Sequence, residues 1–345
     1  MAKDSINILG IETSCDETAA AIVANGREVK SSVVASQVEL HEKYGGVVPE
    51  IASRAHIEQI YPVIAEAIDQ AGIAKGQIDA VAVANQPGLT IALVVGVTAA
   101  KALSFAWQKP LIAINHLHAH LQAAMLADEE LELPAVALVV SGGHTSLYDC
   151  ESKLELNLLG STIDDAAGEA FDKVANILKL GYPGGPKIEK AAQNGDPKAI
   201  KFPRSMLAKD SLDFSFSGIK TAVLYHCQGQ DMKGENRVDS MTPSQIADIA
   251  ASFQAAVIDV LVKKTQRAID RIHAKTVLLG GGVAANTALR KALADMCRTA
   301  KPPKKLLVAP KQYCTDNAVM VASLAYYKYK AGIFAELDLE PKATV

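Results

Sequence analysis

Ile8-Leu-Gly-Ile-Glu12, Thr13-Ser-Cys-Asp-Glu-Thr18 and Ala19-Ala-Ala-Ile-Val-Ala24 follow one another without a break. An apolar run of strand length, a short polar stretch and a second apolar run read as a β-hairpin. The pattern recurs where Pro134-Ala-Val-Ala-Leu-Val-Val140 leads through Ser141-Gly-Gly-His-Thr145 into Ser146-Leu-Tyr-Asp-Cys150. After the first opening, periodicity predicts a strand at 29–36, a helix at 51–71, a strand at 78–84, a helix at 93–107 and a strand at 111–114. After the second it predicts a strand at 154–159 and helices at 166–178 and 243–273. A strand at 276–279, a helix at 286–296, a strand from Leu306 and a last helix from Ala318 follow. Two such successions predict a duplicated α/β fold. Residues 1–120 form the first subdomain and 121–345 the second, with the last helix, 316–331, packing back on the first.

The 345 residues, 49% of them hydrophobic, suffice for two cores at the usual ~100–200 residues per domain. A net charge of −3 and a pI near 6.3 lack the basic footprint of a chain that holds RNA alone. The basic clusters at 198–204 and 301–305 read as solvated loops. The apolar runs read as too short to span a bilayer, and Met1 to Ser5 lead into a strand with no apolar leader, so a cytoplasmic protein is expected. Five scattered cysteines without a C-x-x-C pair suit a reducing compartment and argue against a zinc ribbon. Only Cys314 falls near the chemistry considered next.

Leu111 to Ile114 reads as a buried strand, and Leu117, Leu121 and Met125 as the apolar stripe of a helix. His116 and His120, four apart, share one helix face, with His118 turned away. Two readings fit: a metal-binding pair, or a merely polar helix start. Asp316 sits at a second strand-to-helix junction, where it is either a third ligand or, like Thr315, the cap of the last helix. Two imidazoles and a carboxylate suit Fe(II) or Zn(II). A cleft between the two halves would bring the three together.

Ser141-Gly-Gly-His144, Tyr182-Pro-Gly-Gly-Pro186 and Gly280-Gly-Gly-Val-Ala-Ala-Asn286 place glycines at strand ends or helix starts, where backbone N–H groups can approach phosphate. A P-loop is absent and no G-x-G-x-x-G follows the first strand, so a nucleotide would be held by these dispersed turns. His116-x-x-x-His120 has the spacing of zinc proteases, but Leu117 stands where their general base must be. A small-molecule kinase or an ATP-switched scaffold also fits an α/β nucleotide fold.

Ile11-Glu-Thr-Ser-Cys-Asp-Glu-Thr18, the segment from His41 through Tyr44-Gly-Gly-Val-Val-Pro-Glu-Ile-Ala-Ser-Arg54 to His56, and Ser141-Gly-Gly-His-Thr145 carry a more specific likeness. With them stand Asp164-Asp-Ala-Ala-Gly-Glu-Ala-Phe-Asp-Lys173, Tyr182-Pro-Gly-Gly-Pro186, Asp213-Phe-Ser-Phe-Ser-Gly-Ile-Lys-Thr-Ala222 and Cys314-Thr-Asp-Asn317. Together they resemble the bacterial TsaD (Gcp/YgjD) family over nearly the whole chain. The resemblance implies the actin-like ATPase fold shared by sugar kinases, heat-shock ATPases and actin, with an interdomain cleft. It implies transfer of the threonylcarbamoyl group from threonylcarbamoyl-AMP to N6 of adenosine 37 in tRNAs that read codons beginning with A, with release of AMP. It places metal ligands, for Fe(II) first and Zn(II) second, on His116, His120 and Asp316. Contacts to the adenine nucleotide (threonylcarbamoyl-AMP, AMP or ATP) fall on Val139, Val140, Ser141, Gly142, Gly143, Asp172, Gly185 and Asn286, and on Glu189, where many relatives have Asp. Asp16 and Glu17 become candidates for the catalytic loop. Implied partners are tRNA, TsaB as a heterodimer partner docking on the helix at 51–71, the ATPase TsaE, and a homodimer when TsaB is missing. The chain departs from the family at Gln86, usually Gly, and at His118, commonly Glu.

Overall fold

The computed structural model describes residues 5–126, 131–208, 210–229 and 237–344. Met1 to Asp4, read above for a leader, lie outside the described residues. In chain order come β1 (Asn7–Glu12), β2 (Glu17–Ala24), β3 (Glu28–Ser36), α1 (Val38–Glu42), α2 (Pro49–Ala71), β4 (Ile78–Gln86), α3 (Thr90–Trp107), β5 (Leu111–Asn115) and α4 (His116–Met125). Then follow β6 (Ala135–Val140), β7 (Thr145–Cys150), β8 (Leu156–Ser161), α5 (Ala167–Ile177), α6 (Gly184–Ala192), α7 (Ser217–Gln228) and α8 (Pro243–Ile272). β9 (Thr276–Gly280), α9 (Thr287–Thr299), β10 (Lys305–Val308) and α10 (Ala318–Lys330) complete the chain. Contacts divide it into Met1–Ala127 with Ala309–Val345, and Asp128–Val308.

The first unit is built on a sheet of order β3-β2-β1-β4-β5. β1 pairs antiparallel with β2 and parallel with β4, so the opening hairpin forms as its alternation predicts. Leu9 and Ile11 of β1 pack into one apolar cluster with Ile64 and Ala67 of α2 and Val97 and Ala100 of α3. Each large aliphatic side chain fully buried there contributes about 1.5–3 kcal/mol. Gly10 points to the other face, by the two-residue period of a strand. A Cβ there would meet the main chain of α10 at Ala318 and Ala322, so only glycine lets that helix lie against β1. The segment after α10 continues along the same unit: Ala335 N donates to Leu111 O and Lys342 N to Asn85 O, both at 2.8 Å.

The second unit repeats the plan with the order β10-β9-β6-β7-β8, again two antiparallel and two parallel pairings. Its longest helix, α8, has a reciprocal cap. Thr242 Oγ1 accepts from Gln245 N at 3.3 Å while Gln245 Oε1 accepts from Thr242 N at 2.8 Å, and Pro243 supplies a preset first turn. His273, at φ 54°, ends the helix in the left-handed region. α6 and α7 went unread in the sequence because each opens on glycine- or serine-rich segments that look like loops.

Among the described residues, two helices reach the length and mean hydropathy of a bilayer span, α3 at 1.6 and α8 at 1.5. This corrects the expectation that every apolar run is too short. Within the units, α3 packs on β4 and α2, and α8 on α6, α9 and β6.

Candidate active site

β5 turns directly into α4. The side chain of Asn115 accepts from the main-chain N–H groups of Leu117 (2.9 Å) and His118 (3.1 Å), so the cap sits on the last strand residue and His116 is the first helical one. His120 follows one turn later on the same face. α10 is capped by the Asn317 side chain, which accepts from Met320 N at 3.1 Å. The cap is therefore neither Thr315 nor Asp316, and the Asp316 carboxylate is turned to the histidines. Its Oδ1 lies 3.1 Å from His120 Nε2 and 3.5 Å from His116 Nε2. All three candidate ligands belong to the first unit, because α10 packs on β1, β2 and α4. A cleft between halves is not what assembles them.

The donor set fits a metal ion. The donor atoms of His116, His120 and Asp316 lie within 4.8 Å of one another. Around a tetrahedral ion with bonds of about 2.0–2.1 Å, neighbouring donors stand about 3.3 Å apart, close to the two separations above. The two rings meet edge to face with centroids 4.6 Å apart. His120 is wholly buried, and its Nδ1 has no hydrogen-bond partner among the described residues. Burial holds its pKa below the ordinary histidine value despite Asp316, which keeps the imidazole neutral and able to offer a lone pair. His118 lies outside the ligand set. Burial and nearby Lys328 lower its pKa to about 4, so it too is neutral, on the opposite side of the helix.

The loop between β1 and β2 closes on this centre. Ser14 O accepts from Leu89 N at 2.8 Å, and a Cβ on Gly88 would meet that same oxygen at 2.6 Å. The segment after Gln86 thus approaches the loop closely even with Gln86 in place of glycine. His56 Nε2 donates to Cys15 O at 3.0 Å, its Nδ1 is 2.8 Å from Thr18 Oγ1, and Gln37 N donates to Asp16 O at 3.1 Å. The motif from His41 to His56 provides His56 and the buried His41, which with Gln37 just before it clamp the loop that carries Asp16 and Glu17. Cys15, read from sequence as remote from the chemistry, lies in that loop. Burial, then Asp16 and Asp316, push its thiol well above the ordinary range, so it stays protonated.

Burial, then Asp316 and Asp16, also push the Glu17 carboxyl far above the ordinary carboxylate range. Such crowding of acids is relieved by a cation. Burial disfavours the charged form of His116, but Glu12 and Asp316 outweigh it and raise its pKa to about 9. In the chelated protein both groups bind protons more tightly folded than unfolded. Between the unfolded Glu value of 4.5 and about 9, these two groups therefore lose stability as pH rises, opposed below about 6.5 by His56, His118 and His120, which burial holds below the ordinary histidine value. Chelated protein should melt lower at pH 8.5 than at pH 7.0, where the lowered histidines are neutral in both states, and Glu17→Gln should lessen that slope. A melting series showing equal slopes for both proteins would refute the crowding of Glu17.

The second unit carries the glycine turns, joined in one line of contacts. Ser141 O accepts from Gly168 N at 3.2 Å and Gly142 O from Glu169 N at 3.0 Å, seating the β6–β7 turn on the start of α5. Asp172 Oδ1 accepts from Gly184 N at 2.7 Å, Glu189 Oε1 from Thr287 N at 2.8 Å, and Asn286 Oδ1 from Leu289 N at 2.9 Å. Glu189 and Asn286 therefore hold the N-terminus of α9, and Asn286 Nδ2 donates to Gln254 Oε1 at 2.7 Å. Val139 and Val140 have wholly buried side chains, leaving only their main chain for a ligand. Gly142, Gly143 and Gly185 have neither positive φ nor any atom within 4 Å of an added Cβ. Nothing in the fold itself requires glycine at these three positions.

The family described as tRNA N6-adenosine threonylcarbamoyltransferase (TsaD) matches residues 28–323. The chain belongs to that family. It is 52% identical to the tRNA N6-adenosine threonylcarbamoyltransferase of Moorella thermoacetica, over 96% of this chain and 95% of that protein. The namesake of Symbiobacterium thermophilum is 53% identical, over 96% and 94%. Among solved structures, HypF of T. kodakarensis superposes with a TM-score of 0.61 at 14% identity, over 98% of this chain and 51% of HypF. Component A of the Acidaminococcus fermentans (R)-2-hydroxyglutaryl-CoA dehydratase superposes at 0.54 and 17%, over 94% and 99%. At such identities the likeness speaks for the fold, which is the actin-like ATPase fold. As a member of the family the chain is a transferase that places a threonylcarbamoyl group on a tRNA adenosine.

Proposed function

We propose that the donor is threonylcarbamoyl-AMP and the acceptor N6 of adenosine 37 in tRNAs reading codons that begin with A. The bond from the carbamoyl carbon to the AMP phosphate oxygen breaks, a carbon–nitrogen bond to N6 forms, AMP leaves, and one N6 proton is lost. The observation that carries this reading is the convergence of His116, His120 and Asp316 beside the Asp16–Glu17 loop. The three ligands would hold Fe(II), with Zn(II) the alternative for the same donors. Such an ion supplies Lewis-acid polarisation of a carbonyl, which a weakly nucleophilic, ring-conjugated amine needs. Asp16 is the base for the departing proton, and the clamp from His56 and Gln37 holds its loop in place.

The turns of the second unit take the adenylate. Ser141 to Gly143 and Gly185 present main-chain N–H groups to phosphate, and the open space over their missing Cβ atoms supports that use. Asp172, Asn286 and Glu189 line the same run of contacts and serve the ribose and base. Ile57 and Tyr61 of α2 and Ile91 and Phe105 of α3 are exposed apolar side chains, which supports docking of a TsaB-type partner there, or of a second copy when that partner is missing. With no net positive charge, the chain takes basic surface for tRNA from partners, and TsaE serves between cycles. A tRNA substrate sets the work in the cytoplasm.

The test is a transfer assay with threonylcarbamoyl-AMP and unmodified tRNA, without ATP and with the partner proteins, reading modified nucleoside by mass spectrometry. Formation of threonylcarbamoyladenosine with equimolar AMP is the expected result. Product that appears only when ATP is hydrolysed would overturn the donor assignment.

A further inference from the structure

We infer that Glu12 is the positioning residue of the metal centre, its two carboxylate oxygens holding the His116 imidazole and the Ser14 main chain at once. The inference rests on reading His116, His120 and Asp316 as a metal site, and concerns what fixes His116 within it.

Glu12 ends β1, wholly buried. A carboxylate in that position needs partners, and it has two. Ser14 N donates to Oε1 at 2.6 Å, and His116 Nδ1 lies 2.9 Å from Oε2. An ionised carboxylate only accepts, so once His116 gives up one proton to bind a metal, the proton it keeps stays on Nδ1 and the freed lone pair is on Nε2, the atom that faces Asp316. Ser14 Oγ also stands 3.1 Å from Nδ1, but a hydroxyl donates or accepts equally and cannot choose the tautomer. His120, whose Nδ1 has no partner among the described residues, lacks any such hold. One carboxylate therefore fixes both the ring of a ligand and the start of the loop bearing Asp16 and Glu17.

Glu12→Gln keeps the shape but not the pattern of acceptors. With its amide oxygen on Ser14 N–H, the amide NH2 faces His116 Nδ1, which must then accept and carry its proton on Nε2, where it blocks the metal. With the amide turned round, NH2 opposes the Ser14 N–H. Neither arrangement satisfies both neighbours, whereas Ser14→Ala disturbs neither carboxylate bond.

The test uses metal-free full-length wild type, Glu12→Gln and Ser14→Ala, titrated with Zn(II) against a chromophoric chelator, together with NMR of zinc-loaded wild type labelled with 15N at histidine. Glu12→Gln should bind zinc about 10–100-fold more weakly, and Ser14→Ala close to wild type. In the zinc-loaded wild type, His116 should carry hydrogen on Nδ1 and metal on Nε2, a signature that loss of packing alone would not produce. Unchanged affinity in Glu12→Gln, or a His116 bound through Nδ1, would overturn the inference while leaving the metal reading intact. Failure of wild type to bind zinc or iron would overturn both. Should Glu12→Gln not fold, the wild-type spectrum decides.

Discussion

Replacing His120 with Ala is expected to empty the metal centre and lower the transfer rate by about 10²–10³-fold. Polarisation of a carbonyl by a bound ion is worth several kcal/mol, and each 1.36 kcal/mol is a factor of ten. His120 is wholly buried with Nε2 3.1 Å from Asp316, and no described histidine besides His116 joins that donor group. Truncation leaves one imidazole and one carboxylate, too few to retain an ion against dilution. Metal content by elemental analysis and transfer by mass spectrometry should fall together, while chelated wild type and chelated variant melt within a few degrees of each other. Full metal content with full transfer would end the metal reading.

Asp16→Asn is expected to lower kcat by about 10²–10⁴-fold, the range over which a positioned base contributes. Metal content and tRNA affinity should stay at wild-type levels, since Asp16 is not among the grouped ligands and its main chain, not its side chain, takes the bond from Gln37. Glu17 is the poorer candidate for the base. Burial and the neighbouring Asp316 and Asp16 hold it protonated in the metal-free chain, and a protonated carboxyl cannot accept. A variant that loses metal along with rate would assign Asp16 to the ion rather than to the proton.

What the sequence made legible depends on the distance over which each signal acts. β1–β2 and β6–β7 are hairpins whose partners are adjacent in the chain, so alternation and a short polar turn suffice to place them. His116 and His120 are four residues apart on one helix, and local periodicity puts them on one face. Asp316 stood out only as a carboxylate at a strand-to-helix junction. Its competing reading as a cap fell because Asn317, one residue on, takes that place. Glu12 was invisible as a partner of His116. The two are 104 residues apart, and nothing in Ile11-Glu-Thr-Ser14 indicates which ring its carboxylate meets. The clamp from His56 on Cys15 and Thr18 was hidden for the same reason, although the motif containing it was recognised. α6 and α7 escaped because Gly184-Gly-Pro186 and Ser217-Gly218 have low helix propensity, which packing against α5 and α8 overrides.

The return of α10 to the first sheet has a consequence for the order of events at the ribosome. β1 through α4 emerge within the first 125 residues, yet the face of β1 at Gly10 stays bare until α10 is made. Asp316 is synthesised 196 residues after His120. At about 5–20 residues per second, that interval is on the order of 10–40 s. During it the nascent chain carries two histidines without their carboxylate, so the proposed three-ligand centre is complete only in a nearly finished polypeptide.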